Sequence, residues 1–239
     1  MSVRSVLEAE SAIAGGAAII DVKEPQNGPL GAAPLSTVEQ IVRVVAGRRP
    51  VTLAAGELTE VGAAAPLAIA RLAGLTPAMV KVGLAGLGGG RRWVAEFQRA
   101  RHALGRGIGL TPVAYADHPA ADAPPPAEVV ASARALSLRW VMIDTYDKSG
   151  APLFAHVDPA ELRRLAAIAH AAGAGFALAG KLDLQTVTEA ANAGADVVGV
   201  RGIVCGGDRK AAVCRQATKR VANALAGAET PPQLAREKV

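Results

Sequence analysis

Apolar and polar positions along this chain follow a repeating pattern of two kinds of segment. Stretches rich in Ala carry apolar side chains at helical spacing, and each ends at a glycine-containing turn that leads into a short apolar run. The runs are continuously apolar and do not alternate with polar residues, which is typical of parallel strands buried on both faces. Glycine commonly ends helices, so the repeat predicts helices and parallel strands in strict alternation.

The pattern predicts eight strands and eight helices. The predicted strands span residues 2–5, 17–22, 51–55, 79–83, 107–114, 140–145, 175–179 and 196–200. The predicted helices span residues 6–14, 36–46, 64–73, 91–104, 127–136, 159–172, 184–193 and 210–226. No Gly-rich phosphate-binding turn follows the first strand, which favours a single (β/α)8 TIM barrel over an open doubly wound sheet. We expect residues 1–226 to form the barrel and residues 227–239 to be a flexible tail.

Composition excludes several classes of protein. Of the 239 residues, 51% are hydrophobic and 20% are charged, which is typical of a globular domain and not of a disordered chain. Gly, Pro or a charge interrupts every apolar run before it could span a bilayer, and acidic residues interrupt the N-terminal segment, so we expect no membrane span and no signal peptide. Two cysteines, Cys205 and Cys214, give no disulfide framework, which indicates a reducing, cytoplasmic location.

The net charge of +5 raises the question of an anionic partner. The basic residues are scattered and the few aromatic residues do not interleave with them, so we expect a small anionic ligand and no nucleic acid. The four histidines lack ligand spacing, and we expect neither a metal nor a cofactor. The Ala- and Leu-rich helices are compatible with a homo-oligomer, which the sequence leaves open.

Lysines are scarce, at 7 against 19 arginines, and their positions are therefore informative. Four of them lie in or just after predicted strands: Lys23, Lys81, Lys148 and Lys181. Asp21 lies two residues before Lys23 and faces the same side of its strand, and Asp144 ends the sixth strand. Catalytic groups of barrels stand at the carboxyl ends of strands, so we predict a catalytic site at these positions. Its predicted catalytic residues are Asp21, Lys23, Lys81, Asp144 and Lys148.

These residue types suit chemistry on a carbonyl compound. An ammonium inside a barrel loses hydration, which lowers its pKa and produces the neutral amine that attacks an aldehyde or ketone. A second lysine lowers the pKa further, and a nearby aspartate moves protons. The pattern therefore predicts a Schiff base. The alternative is that Asp21 with Lys23, or Lys81 with Asp144, forms an ion pair that only plugs the barrel mouth.

The loops after the seventh and eighth strands contain glycines and basic residues, as phosphate-binding loops of barrels do. Glycine lets backbone amides approach a phosphate, and arginine adds charge-assisted hydrogen bonds. The predicted phosphate-binding residues are Gly180, Lys181, Arg201, Gly202, Gly206, Gly207 and Arg209. We also expect Asp117, after the fifth strand, to contact substrate. The alternative is that these glycines only make turns.

Several segments resemble those of the (5-formylfuran-3-yl)methyl phosphate synthase family. They include Ile-Ile-Asp-Val-Lys-Glu-Pro, Val-Lys-Val-Gly-Leu, Met-Ile-Asp-Thr, Leu-Ala-Gly, and Val-Gly-Val-Arg-Gly with Gly-Gly-Asp-Arg, and they run from about Gly15 to Arg209. The resemblance implies a TIM-barrel lyase of methanofuran biosynthesis. It also implies that the reaction condenses two molecules of glyceraldehyde 3-phosphate into a furan aldehyde phosphate with loss of phosphate and water.

The resemblance also implies individual roles. Lys23, in the Asp-Val-Lys motif, would form the Schiff base, and Lys81, in the Lys-Val-Gly motif, would be the general base. Asp21, Asp144 and Lys148 would belong to the active site. The role of Lys181 does not follow from the resemblance and depends on its location alone.

Two other functions are compatible with the same residues. A class I aldolase or a sugar phosphate isomerase would share the barrel, the phosphate site and the lysine. A sensor of phosphorylated ligands would use the lysines only to bind anions and would form no covalent adduct. The furan synthase alone would produce an aromatic aldehyde that absorbs ultraviolet light, together with inorganic phosphate.

Overall fold

Eight parallel strands form a single sheet whose order follows the chain. The structure, a computed structural model, describes residues 1–60, 73–75, 77–104 and 108–228. The strands are β1 (Ser2–Val3), β2 (Ile20–Val22), β3 (Val51–Glu57), β4 (Met79–Gly83), β5 (Leu110–Tyr115), β6 (Trp140–Asp144), β7 (Gly175–Leu178) and β8 (Val197–Val198). The Ser2 backbone N–H donates to the Val200 carbonyl at 3.1 Å, which joins the first strand to the segment after the last. The predicted α/β barrel is confirmed.

Helices connect the strands along the described chain. They are α1 (Val6–Ala14), α2 (Leu35–Val45), α3 (Arg92–Leu104), α4 (Pro126–Ala131), α5 (Leu153–His156), α6 (Pro159–Ala171), α7 (Leu184–Asn192) and α8 (Arg215–Ala226). Short 3-10 turns span Pro25–Asn27, Ala73–Leu75 and Gly202–Cys205. The predicted helix 64–73 lies outside the described residues except for its last position, and so does the predicted tail beyond residue 228.

Two predicted helices differ from the structure, and the structure contains one helix that the pattern does not predict. The last begins at Arg215 and not at residue 210, because Gly206 and Gly207 adopt positive φ angles of 67° and 94° and the chain forms an irregular loop up to Cys214. The predicted helix 127–136 ends at Ala131, after which the chain forms turns. The four-residue helix α5, between β6 and α6, was not predicted.

The two faces of the sheet carry side chains of different size. Large apolar residues on the outer face, such as Leu53, Ile143 and Phe176, pack against the helices in the main core. The inner face carries many small or polar residues, including Ala54, Ala177, Ala179, Asp21, Thr52 and Lys81, and a few large ones such as Tyr115 and Met142. Eight-stranded barrels are ordinarily filled by branched apolar side chains. The small inner residues leave room for a cavity here.

No helix within the described ranges has both the length and the apolar character needed to cross a membrane.

Candidate active site

A cavity of about 350 Å³ opens among the loops that follow the strands. Its volume lies within the range of small-molecule sites, about 300 to 1,000 Å³. The predicted site residues that line it are Asp21, Lys23, Lys81, Asp144, Lys148, Gly180, Lys181, Arg201, Gly202, Gly207 and Arg209. Asp117 and Gly206 are not part of its lining.

Asp21 and Lys81 form a buried ion pair inside the barrel. Lys81 Nζ lies 2.6 Å from Asp21 Oδ1, and the hydroxyls of Ser2 and Thr52 donate to the same carboxylate at 2.9 and 2.8 Å. Burial alone would raise the pKa of Asp21, but the charges of Lys81 and Lys23 outweigh it and hold that pKa below its usual value. Asp21 is therefore an ionised, fixed carboxylate.

Asp144 and Lys148 form a second buried ion pair across the end of β6. Lys148 Nζ lies 2.6 Å from Asp144 Oδ1, and the Thr145 N–H donates to the same oxygen at 2.8 Å. Burial opposes the charge of Asp144, but Lys148 and Lys23 hold its pKa below its usual value. Burial also lowers the pKa of Lys148, against the opposing effect of Asp144.

Lys23 lies between these pairs and differs from both of their lysines. Its side chain is buried, and its Nζ donates to the Pro29 carbonyl at 3.0 Å. Among the described residues it forms no ion pair with a carboxylate. Burial lowers the pKa of Lys23 to about 7, helped by the charges of Lys148 and Lys81 and opposed by those of Asp144 and Asp21. The Lys23 amine is therefore neutral in roughly half of the molecules near pH 7.

The turn after β2 presents the Pro29 carbonyl to Lys23 because the chain doubles back closely there. The Glu24 N–H donates to the Gly31 carbonyl at 2.8 Å. A Cβ on Gly31 would lie 2.3 Å from the Glu24 carbonyl oxygen, so only glycine fits this approach. The residues after the Asp-Val-Lys motif thus shape the surroundings of the lysine.

These ion pairs differ from the two considered from the sequence, which joined Asp21 to Lys23 and Lys81 to Asp144. Lys81 pairs with Asp21 and not with Asp144, because β2 and β4 bring their inward-facing side chains together across β3. Asp144 pairs with Lys148, four residues along its own loop. Both carboxylates are thereby engaged by other lysines, which leaves Lys23 without one.

Arg209 provides a cation that lines the cavity. Its Nη2 is buried and has no hydrogen-bond partner among the described residues, and Gly207 and Gly202 line the cavity beside it. Burial lowers the pKa of Arg209, but a guanidinium remains protonated near neutral pH. A buried donor without a partner costs free energy, and an anionic ligand would remove that cost.

Comparison with known proteins identifies the family. A family model described as 4-HFC-P synthase matches residues 1–222. The chain belongs to this family. The (5-formylfuran-3-yl)methyl phosphate synthase of Methanosarcina mazei is 30% identical over 217 residues, covering 90% of this chain and 93% of the relative. That of Methanopyrus kandleri is 32% identical over 224 residues, covering 92% and 94%.

Solved structures support the same fold. The 3-hexulose-6-phosphate synthase of Salmonella typhimurium matches with a TM-score of 0.61 at 14% identity, covering 94% of this chain and 96% of that one.

The family match confirms the resemblance drawn from the motifs. Because the family consists of synthases, this member of it is an enzyme.

In this 4-HFC-P synthase family member, Arg201 does not offer its side chain to a ligand. Its Nη1 donates to Glu8 Oε2 at 2.8 Å and to the Ser2 carbonyl at 3.0 Å, and its Nη2 donates to Glu8 Oε1 and the Ala211 carbonyl, both at 3.3 Å. Its Nε donates to the carbonyl of Arg209. All five donors are used, so Arg201 ties the loop after β8 to β1 and α1.

Asp117 and Lys181 both contact the loop that follows β6. The Asp117 carboxylate accepts the N–H of Tyr146 at 2.6 Å and that of Asp147 at 2.8 Å. Lys181 Nζ donates to the Ser149 carbonyl at 3.1 Å and to the carbonyl of the next residue, Gly150. Neither arrangement was foreseen, because a backbone partner leaves no pattern in the sequence.

Glu57 and Tyr115 form a buried pair that sequence reasoning missed. The Tyr115 hydroxyl donates to Glu57 Oε1, and the Ala85 N–H donates to Oε2 at 3.0 Å. Burial raises the pKa of Glu57 against the opposing hydrogen bond from Tyr115, and burial and Glu57 together raise the pKa of Tyr115. The predicted third strand stopped at residue 55, two residues before Glu57, so this residue was not recognised as a strand end.

Within the described ranges, no group of three or more His, Cys, Asp and Glu side chains is placed to hold a metal ion.

Proposed function

We propose that this enzyme condenses two molecules of glyceraldehyde 3-phosphate into (5-formylfuran-3-yl)methyl phosphate through a Schiff base on Lys23. The observation that carries the proposal is a buried lysine whose pKa is lowered to about 7 and which lies beside two lysine–aspartate pairs. The names of the relatives support the product. We place the reaction in the cytoplasm, as a step of methanofuran biosynthesis.

The first step uses the neutral amine of Lys23. Its Nζ attacks the aldehyde carbon of one triose phosphate, and loss of water gives an iminium. Removal of the proton from the adjacent carbon then gives an enamine, which expels the phosphate from the third carbon. That third carbon, now part of an enol, attacks the second carbon of the other triose phosphate in its ketone form and forms the carbon–carbon bond. We assign this proton transfer to Lys81, which takes the proton from carbon as it passes one of its own to Asp21, 2.6 Å away.

The remaining steps close the ring and expel water to make it aromatic. Two triose phosphates become one furan aldehyde phosphate, one inorganic phosphate and two molecules of water, so no oxidant or reductant is required. Each leaving oxygen must receive a proton or a positive partner. We assign the proton transfers to the Lys148–Asp144 pair and the binding of phosphate to Arg209 with the glycines of the loop after β8.

The function is tested by mixing the protein with glyceraldehyde 3-phosphate and following ultraviolet absorbance together with inorganic phosphate. We expect an aromatic chromophore and one phosphate for each furan formed. Borohydride added during turnover should trap an adduct, and peptide mass spectrometry should locate it on Lys23. An adduct without a chromophore would favour an aldolase, and ligand-induced stabilisation with neither signal would favour a sensor.

The rate of imine formation should depend on pH in the neutral range. The pKa of Lys23 lies near 7, so the reactive neutral amine is lost as pH falls below that value. We expect trapping of a non-phosphorylated aldehyde on Lys23 to fall about tenfold per pH unit below pH 7 and to level off above it. Initial rates of borohydride trapping measure this profile. A midpoint near 10, as for an exposed lysine, would contradict it.

A further inference from the structure

The loop after β6, residues 145–150, is held at both ends by charged side chains. At one end, Asp117 accepts two successive backbone N–H groups, those of Tyr146 and Asp147. At the other end, Lys181 donates to two successive carbonyls, those of Ser149 and Gly150. The Asp117 carboxylate thus accepts from backbone N–H groups of the loop, and the Lys181 ammonium donates to its backbone carbonyls. Lys148 is the residue between these two attachments.

We propose that Asp117 and Lys181 are positioning residues that keep Lys148 on Asp144 and thereby leave the amine of Lys23 without a carboxylate partner. The proposal extends the proposed function, since it depends on Lys23 being the nucleophile. It also gives Asp117 a role that does not require contact with substrate, in agreement with its place outside the cavity lining.

The contacts of Lys148 show why its backbone must be held. Its ammonium reaches Asp144 Oδ1 at 2.6 Å and the Thr145 hydroxyl at 3.4 Å. A lysine side chain is long and has many rotamers, so a short ion pair forms reliably only when its backbone is fixed. The clamp made by Asp117 and Lys181 fixes the backbone on both sides of this residue.

The charges around Lys23 show what loss of the clamp would do. The groups that face it are Asp144 and Asp21, which favour its protonated form, and Lys148 and Lys81, which disfavour it. If Lys148 moved away from Asp144, its repulsion would weaken and the carboxylate would be free to pair with Lys23. Both changes stabilise the protonated amine and raise the pH at which Lys23 becomes reactive.

The direction of the change in the pKa of Lys23 distinguishes a positioning role of Asp117 from a direct effect of its charge. Asp117→Asn removes a negative charge, and loss of a negative charge by itself can only lower the pKa of a nearby lysine. A higher pKa for Lys23 in this variant therefore requires movement of the loop. The two N–H groups also reach different oxygens of Asp117, and asparagine has an NH2 group in place of one of them, which cannot accept a hydrogen bond.

The experiment measures the pKa of Lys23 without relying on turnover. The full-length protein is reductively methylated with formaldehyde and cyanoborohydride from about pH 5 to about pH 10, and the modified Lys23 peptide is quantified by mass spectrometry. Wild type should show a midpoint near 7. We expect Asp117→Asn and Lys181→Met each to raise that midpoint by about one pH unit.

Two controls match the test variants. Asp196→Asn removes the same charge from a carboxylate that also accepts a backbone N–H, that of Phe176, but at the amino-terminal end of β8. Lys219→Met removes an exposed lysine of α8. Both controls should leave the Lys23 midpoint unchanged.

The outcomes distinguish the two proposals. If Asp117→Asn and Lys181→Met fold and leave the midpoint unchanged or lower it, the positioning proposal is overturned while Lys23 remains the nucleophile. If the wild-type midpoint lies near 10, both proposals fail. If Asp117→Asn does not fold, as judged by circular dichroism, Lys181→Met decides the question when measured at about 1 M salt. The direct effect of losing the exposed Lys181 charge is screened there, so a raised midpoint still requires movement of the loop.

Discussion

Lys23→Ala should abolish formation of the furan product while leaving the barrel folded. The variant loses the amine that forms the covalent intermediate, and no neighbouring lysine can replace it, because Lys81 and Lys148 are held by carboxylates at 2.6 Å. Loss of a nucleophile that carries a covalent route commonly costs about four orders of magnitude or more in kcat. The decrease should be visible both in the growth of ultraviolet absorbance and in phosphate release.

A matched control distinguishes this effect from general damage. Lys219→Ala makes the same substitution at an exposed position of α8 and should retain full activity. Lys23→Ala should also give no borohydride-trapped adduct on the peptide that contains residue 23. Unfolding midpoints of both variants should lie close to that of wild type or above it, since removal of a buried lysine without a carboxylate partner relieves a desolvation cost. Substantial furan synthesis by folded Lys23→Ala would show that another group starts the reaction.

The repeating pattern of the sequence was sufficient to predict the barrel. The predicted bounds of β4 agree with the structure at both ends, and those of β6 and β7 differ by one residue. Runs that are apolar on both faces identify the strands of a parallel barrel whether the inward residues are large or small. The pattern did not show that small residues, such as Ala177 and Ala179, stand beside polar ones on the inner face, which is what leaves room for the cavity.

The position of a charged residue along the chain was enough to predict that it lies in the site, but not to predict which residue it pairs with. Asp21 and Lys81 line the cavity because they face the inside of the barrel from the middle of β2 and β4, and Lys23, Asp144 and Lys148 line it because strand ends meet at one end of a barrel. Which lysine meets which carboxylate depends on the register between strands and on side-chain reach, and neither leaves a sequence signal. Their catalytic roles stay predictions.

Charged residues with backbone partners were the least predictable. Arg201 lies in a glycine-rich loop as a phosphate ligand would, yet its five donors are used by Glu8 and by carbonyl groups. Asp117 ends a strand as a catalytic carboxylate would, yet it accepts two loop N–H groups. Partners of this kind can be found only from the folded chain, because every residue type offers the same backbone atoms.

Replacing Lys81 alone should lower both stability and activity, whereas replacing Asp21 and Lys81 together should restore stability but not activity. Lys81→Met leaves the Asp21 carboxylate buried without its nearest positive charge, although the hydroxyls of Ser2 and Thr52 and the more distant Lys23 still support it. Breaking a buried pair from one side commonly costs about 3 kcal/mol of unfolding free energy. Loss of the proton-transfer group should reduce kcat about 100-fold to 10,000-fold.

The double variant Asp21→Asn with Lys81→Met separates these two effects. Removing both charges removes the unpaired buried carboxylate, so most of the lost unfolding free energy should return, as measured by urea denaturation. Activity should not return, because the group that moves the proton is still absent. The coupling between the two substitutions would therefore be large in unfolding free energy. Recovery of activity together with stability would mean that Lys81 only balances the charge of Asp21, and the proton transfer would then have to be assigned to Lys148 with Asp144.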